Sequence, residues 1–220
     1  MEVIKDIRTR RGANLNIKGK AEKILDKTIS ASNFALMPDD FFGTIPKLLL
    51  KEGDSVEAGS PIFFSKKNPD IKVVSPVAGI LKSIERGPKR KIERILIEAF
   101  KTQKFVTHSI KSWDKMSREE IKSLLMESGN WPFIHQRPYG IMANPLDTPK
   151  AIFVSTIKTN PLYVDMQFIL KNDKKEFQLG IDLLNMLVDQ PVFLGVEKSF
   201  SGYFGSIERV KHYTVEGPHP

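Results

Sequence analysis

Cysteine is absent from all 220 residues. Disulfides, thiolate-bound metals, iron–sulfur clusters and a cysteine nucleophile are therefore excluded within this chain. The absence fits a reducing compartment. Long apolar runs are absent too. The longest, at 151–154 and 183–188, are short or broken by a polar residue, far from the roughly 20 residues a spanning helix needs. The opening MEVIKDIRTRRG has no apolar core to follow and is not a signal peptide. Histidine is sparse: His108, His135, His212 and His219 are scattered, with no i, i+4 pair and no acidic neighbour at ligand spacing. The phosphate-binding patterns G-x-G-x-x-G and G-x-x-x-x-G-K-[ST] are missing. The glycines of GVEKSFSGYFG (195–205) stand too far apart to cradle a phosphate. The sequence thus offers no catalytic constellation and no fingerprint for flavin, NADH or metal. The expectation is a cytoplasmic chain, soluble or peripheral to a membrane.

What is present is basic. The net charge is +8, and the excess sits in two clusters. Residues 5–23 carry Lys5, Arg8, Arg10, Arg11, Lys18, Lys20 and Lys23 against Asp6 and Glu22. Residues 82–104 carry Lys82, Arg86, Lys89, Arg90, Lys91, Arg94, Lys101 and Lys104 against Glu85, Glu93 and Glu98. Such clusters are solvated surface or attract an acidic partner or anionic lipid. Neither interleaves aromatics for base stacking, so no nucleic-acid partner is expected.

The first hundred residues read as β. Gly and Pro punctuate short apolar runs at 45–50, 61–64, 71–74, 80–84 and 92–97, a spacing that suggests a small sandwich or barrel. Beyond about residue 105 the pattern changes. Ser117 and Glu120 predict a capping box opening a helix over 117–129, with Ile121, Leu124, Leu125 and Ser128 on one face and Gly129 ending it. A strand over 151–157, helices near 161–171 and 174–188, and strands over 191–197 and 208–215 follow. Strands alternating with helices argue for an α/β layer. About three strands make an open sheet with little core, so the chain is expected to continue in a longer protein. The fold class is therefore multidomain α+β: an all-β domain at 1–104, then the first part of an α/β domain at 105–220, with the boundary near 100–112.

EGDSVEAG (52–59) and SPVAG (75–79) match the flanks of biotinyl and lipoyl carrier domains, whose modified lysine rides on a hairpin tip. Gly53, Gly59 and Gly79 permit the φ > 0 corners of such a flattened barrel. The carrier position, eight residues before the proline of Pro-x-x-Gly, is Asn68; Lys67 is one place off, and Asn68-Pro69-Asp70 reads as a type I turn. A borrowed fold is the expectation. A lipoyl- or biotinyl-type carrier, or an adaptor domain of another membrane complex, is the alternative.

Several segments carry a resemblance to a known family. KKNP (66–69), SPVAG (75–79), IERGPKRKIERILIE (84–98), ESGNWPFIHQRPYG (127–140), AIFVSTIKTNPL (151–162) and EGPHP (216–220) fall in its order and spacing. RTRRGANLNIKG (8–19) matches more loosely. The chain resembles the N-terminal half of the A subunit of bacterial sodium-translocating NADH:quinone oxidoreductases, a family related to the C subunit of Rnf complexes. The resemblance implies a barrel-sandwich hybrid domain followed by a domain similar to the flavin domain of a complex I subunit. It implies a peripheral subunit on the cytoplasmic face of the inner membrane, partnered with other pump subunits and especially a membrane subunit. It implies flavins, iron–sulfur centres and quinone in the complex, with no cofactor in this chain.

Two groups of residues are candidate sites. Phe133, His135, Arg137 and Tyr139 alternate after Trp131 in a Pro-bounded loop, and can stack on a quinone ring and hydrogen-bond its carbonyls. The same pattern also suits a loop pinned to the core by its aromatics. Arg86, Lys89, Arg90 and Lys91, in the turn RGPKRK, can dock on a membrane subunit or on anionic head groups.

Overall fold

Short runs of β-branched and aromatic residues between Gly and Pro turns become strands. The computed structural model describes residues 3–15, 17–19, 21–25, 31–110, 112–157, 162–197 and 202–218. In chain order its elements are β1 (Val3–Arg8), β2 (Asn33–Leu36), β3 (Pro46–Leu48), β4 (Ser55–Val56), β5 (Pro61–Ser65), β6 (Asn68–Val74), β7 (Gly79–Arg86) and β8 (Ile92–Ala99). Then come α1 (Arg118–Glu127), β9 (His135–Gln136), β10 (Ile141–Met142), β11 (Phe153–Ser155), α2 (Met166–Ile169), α3 (Lys174–Asn185), β12 (Val192–Glu197) and β13 (Val210–Glu216).

They form two units, Lys27–Asp147 and Met1–Asp26 with Thr148–Pro220. The first is the barrel-sandwich hybrid. One sheet has the order β2-β8-β7-β4 and the other β3-β5-β6. Alternation sends Leu81, Ile95 and Ile97 inward, where they meet Ile62, Phe63, Val73 and Val56. Burying each large side chain fully is worth about 1.5–3 kcal/mol. Gly53 and Gly59 take the positive φ expected of corner residues, 90° and 95°. Gly79 does not. It is required because a Cβ there would collide with the Glu98 carbonyl oxygen, across the β7–β8 pair.

Helix α1 belongs to this unit. Ser117 and Glu120 form the expected capping box, and Ile121 is fully buried. Gly129 follows at φ 75°, with Val74 of β6 against its missing side chain. The segment after β8 also stays with the barrel: Ala58 and Phe105 form a β-bridge.

The second unit is a parallel sheet in the order β1-β13-β12-β11. Val192, Leu194 and Val196 of β12 pack on one face with Ile181, Val188, Phe204 and Ile207. The polar side of α3 holds the approach to β13. Asp182 accepts from Gln178 and from Arg209, and Asn185 donates to the Arg209 carbonyl while accepting from Val192 N–H.

The expected β strands and the 117–129 helix are present within a few residues, and helix 161–171 is confined to one turn at Met166–Ile169. By contact, the compact units divide at 26/27 and 147/148. β1, at the start of the chain, is a strand of the α/β sheet, paired with β13 about 200 residues later. Residues 105–147 lie in the barrel unit. Periodicity reports a strand's local form but not which sheet completes its ladder, so β1 could not be assigned from its own residues.

Candidate functional site

The β5–β6 hairpin closes through a two-residue turn. Ser65 pairs with Asn68, which puts Lys66 and Lys67 at the tip, both exposed. The type I turn expected at Asn68-Pro69-Asp70 is instead the start of β6. A bulge in β6, opposite the step from Phe64 to Ser65, absorbs the extra residues, and Lys72 Nζ donates to the Pro69 carbonyl. Sequence spacing counted along the chain could not see the bulge.

The loop 131–142 is anchored by Trp131, which is buried and donates Nε1–H to the Ala143 carbonyl at 2.8 Å. β9 and β10 then pair, His135 opposite Met142 and Gln136 opposite Ile141. This leaves the four quinone candidates outside. His135 and Arg137 are exposed, and Phe133 and Tyr139 are 73% and 72% exposed. Phe133 meets Phe41 edge-on at 6.3 Å. A small-molecule site normally encloses most of its ligand. These residues offer a surface, with one aromatic contact holding Phe133.

The turn between β7 and β8 carries the basic candidates. Gly87 N–H donates to the Lys91 carbonyl, and Lys91 N–H to the Pro88 carbonyl. Lys89 and Arg90 both have positive φ, 55° and 60°. That is the φ signature of a type I′ turn, whose usual residues are Asn and Gly. Side chains in this region cost about 1 kcal/mol or more each. Arg86 donates to the Arg90 carbonyl, and Lys91 pairs with Asp39 at 2.6 Å. Other basic residues of the cluster are also paired: Lys82 with Glu98 and Arg94 with Glu85.

The α/β unit carries an aromatic row that sequence reasoning missed. Phe153 stacks on Phe193 at 5.0 Å and meets Tyr213 edge-on at 6.1 Å. The Tyr213 ring occupies the space a side chain would need at Gly195. Gly195 is thus a packing glycine within β12 rather than part of a phosphate loop. Burial pushes the Tyr213 phenol up, opposed by its hydrogen bond to Ser155. Period-two alternation across β11, β12 and β13 was the available signal. It was hidden because register between parallel strands is not written locally. Residues 198–201 of the Gly-rich stretch lie outside the described residues.

Among the described residues the histidines do not converge. His212 is buried with Nε2 3.0 Å from the Phe204 carbonyl, and His219 lies outside the described residues. Among the described residues there is no group of three or more His, Cys, Asp or Glu able to hold a metal ion, and no helix long and apolar enough to cross a membrane.

Fold and topology define a two-domain protein, a barrel-sandwich hybrid joined to an α/β domain. Comparison with known families agrees domain by domain. The NqrA N-terminal barrel-sandwich hybrid domain matches residues 7–100, and the NqrA second alpha/beta domain matches residues 116–220. The chain belongs to this family. The A subunit of the Na(+)-translocating NADH-quinone reductase of Alcanivorax borkumensis is 31% identical over 219 residues, 97% of this chain and 48% of that protein. The corresponding protein from Rhodopirellula baltica is 32% identical over 217 residues, with the same coverage. That of Photorhabdus laumondii is 30% identical over 216 residues. The chain spans about half the length of the curated relatives it matches. The two family matches leave 101–115 between them, whereas the compact units divide at 26/27 and 147/148.

Proposed function

We propose that this chain is a peripheral subunit of a sodium-translocating NADH:quinone oxidoreductase, seated on the cytoplasmic face of the bacterial inner membrane. It contributes surfaces that hold the electron-carrying subunits, and the flavins and iron–sulfur centres belong to those partners. The observation that carries this reading is the family match to both domains in consecutive order. The absence of cysteine supports placing the iron–sulfur chemistry elsewhere. Within this reading, Phe133, His135, Arg137 and Tyr139 form an exposed surface toward quinone at the membrane face. Membranes from cells lacking the chain test it. Sodium-stimulated NADH:quinone reductase activity should be lost and should return when the gene is restored. Unchanged activity contradicts the reading.

One observation favours a second reading. Lys66 and Lys67 occupy an exposed hairpin tip, where a lysine-borne carrier group would sit. The intact mass of protein purified from its native cell separates the two, because lipoate or biotin adds mass at a lysine.

A further inference from the structure

We propose that the barrel unit carries a lipid-binding face, formed by the basic β7–β8 tip and the exposed aromatics beside it, and that its partner is an anionic phospholipid surface. This deepens the peripheral assignment and rests on it, while its support is the geometry of one unit.

Pairing within the cluster consumes Lys82, Arg94 and Lys91. Among the described residues, no hydrogen bond or ion pair engages the Lys89 and Arg90 side chains. They project from the hairpin tip in a left-handed backbone that Asn-Gly would fill at lower cost. Backbone strain retained by two cations at an exposed tip marks a place where those charges are used.

The Lys91–Asp39 ion pair ties the tip to the short turn Pro38–Asp40, and Phe41 and Phe42 follow directly. Phe41 meets Phe133, and a methyl group at Gly43 would sit 3.7 Å from Ile141. Phe42, Phe133 and Tyr139 stay 67%, 73% and 72% exposed. Their rings project from two loops, 41–44 and 131–142. A rigid acidic protein would need a pocket for each ring. A headgroup layer accepts projecting rings and places its phosphates against Lys and Arg.

Co-sedimentation of the full chain with vesicles tests the proposal, comparing pure phosphatidylcholine with a mixture containing roughly one-third phosphatidylglycerol. The chain should bind the anionic vesicles, bind neutral ones poorly, and release as sodium chloride rises. Lys89→Asn combined with Arg90→Gly should melt higher than the parent, yet lose about fivefold in partition for each charge removed. Phe42→Ser combined with Phe133→Ser should lose about tenfold with the charges intact. Anionic-vesicle binding that either double variant leaves unchanged overturns the proposal. Failure to bind vesicles overturns it as well, and salt-sensitive capture of polyglutamate would then identify an acidic polypeptide as the partner. Vesicle binding is read on the purified parent chain and reductase activity on membranes that lack the chain, so the lipid-binding face and membership of the pump fail or stand separately.

Discussion

Gly129 shows how one residue joins a helix to a sheet. It ends α1 at φ 75°, a conformation L-residues adopt at a cost of about 1–2 kcal/mol. A Cβ there would also lie 2.5 Å from a Val74 methyl. Gly129→Ala should lower unfolding stability by about 2–4 kcal/mol, the sum of strain and overpacking, read as a shift in the urea midpoint. A change below half a kcal/mol would mean that β6 and α1 separate freely. Glu120 makes a second residue-scale test. Hydrogen bonds from the backbone and side chain of Ser117 hold its carboxyl below the usual carboxylate value. A folded value below the unfolded one gives stability that is present above the unfolded value and lost as pH falls through the folded one. The melting-temperature gap between the parent and Glu120→Gln should therefore be widest at neutral pH and close as the solution is acidified below the carboxylate range. A gap independent of pH would contradict the capping box.

At the scale of elements, the β7–β8 pair is the spine of the barrel. Leu81, Ile95 and Ile97 fill its inner face, and Gly79 lets β8 approach. Gly79→Ala should push β7 from the Glu98 carbonyl and cost several kcal/mol, with loss of cooperative melting in circular dichroism. Retained cooperativity and an unchanged melting point would show that β7 can shift without loss. These strands were legible from the sequence, because apolar alternation and Gly-Pro punctuation report local form. So was α1, whose Ser117 and Glu120 stand three apart. The hairpin tip at Lys66–Lys67 was not legible, because a bulge in β6 moved the turn back from Asn68-Pro69-Asp70. The quinone candidates lie in the loop that Trp131 anchors, and their exposure depends on β9 pairing with β10. The aromatic row Phe153, Phe193 and Tyr213 depends on parallel register, which no single strand encodes.

The whole molecule is two folding units threaded by one chain that leaves the α/β unit after β1 and returns to it at residue 148. Family matching follows the chain and divides it at 101–115. Folding follows the cores. A fragment of residues 27–147 should then melt cooperatively by itself, since it holds both barrel sheets, α1 and the Trp131 anchor. Calorimetry on that fragment checks the division, and a chain without a melting transition would contradict it.

The role proposed for this chain is that of one component of a larger redox pump. Affinity purification of the chain from gently solubilised native membranes tests that most directly. The other subunits of a sodium-translocating NADH:quinone oxidoreductase should be recovered in fixed proportion, together with their flavin absorbance and NADH:quinone reductase activity. Recovery of the chain alone, or with an unrelated membrane complex, would contradict it.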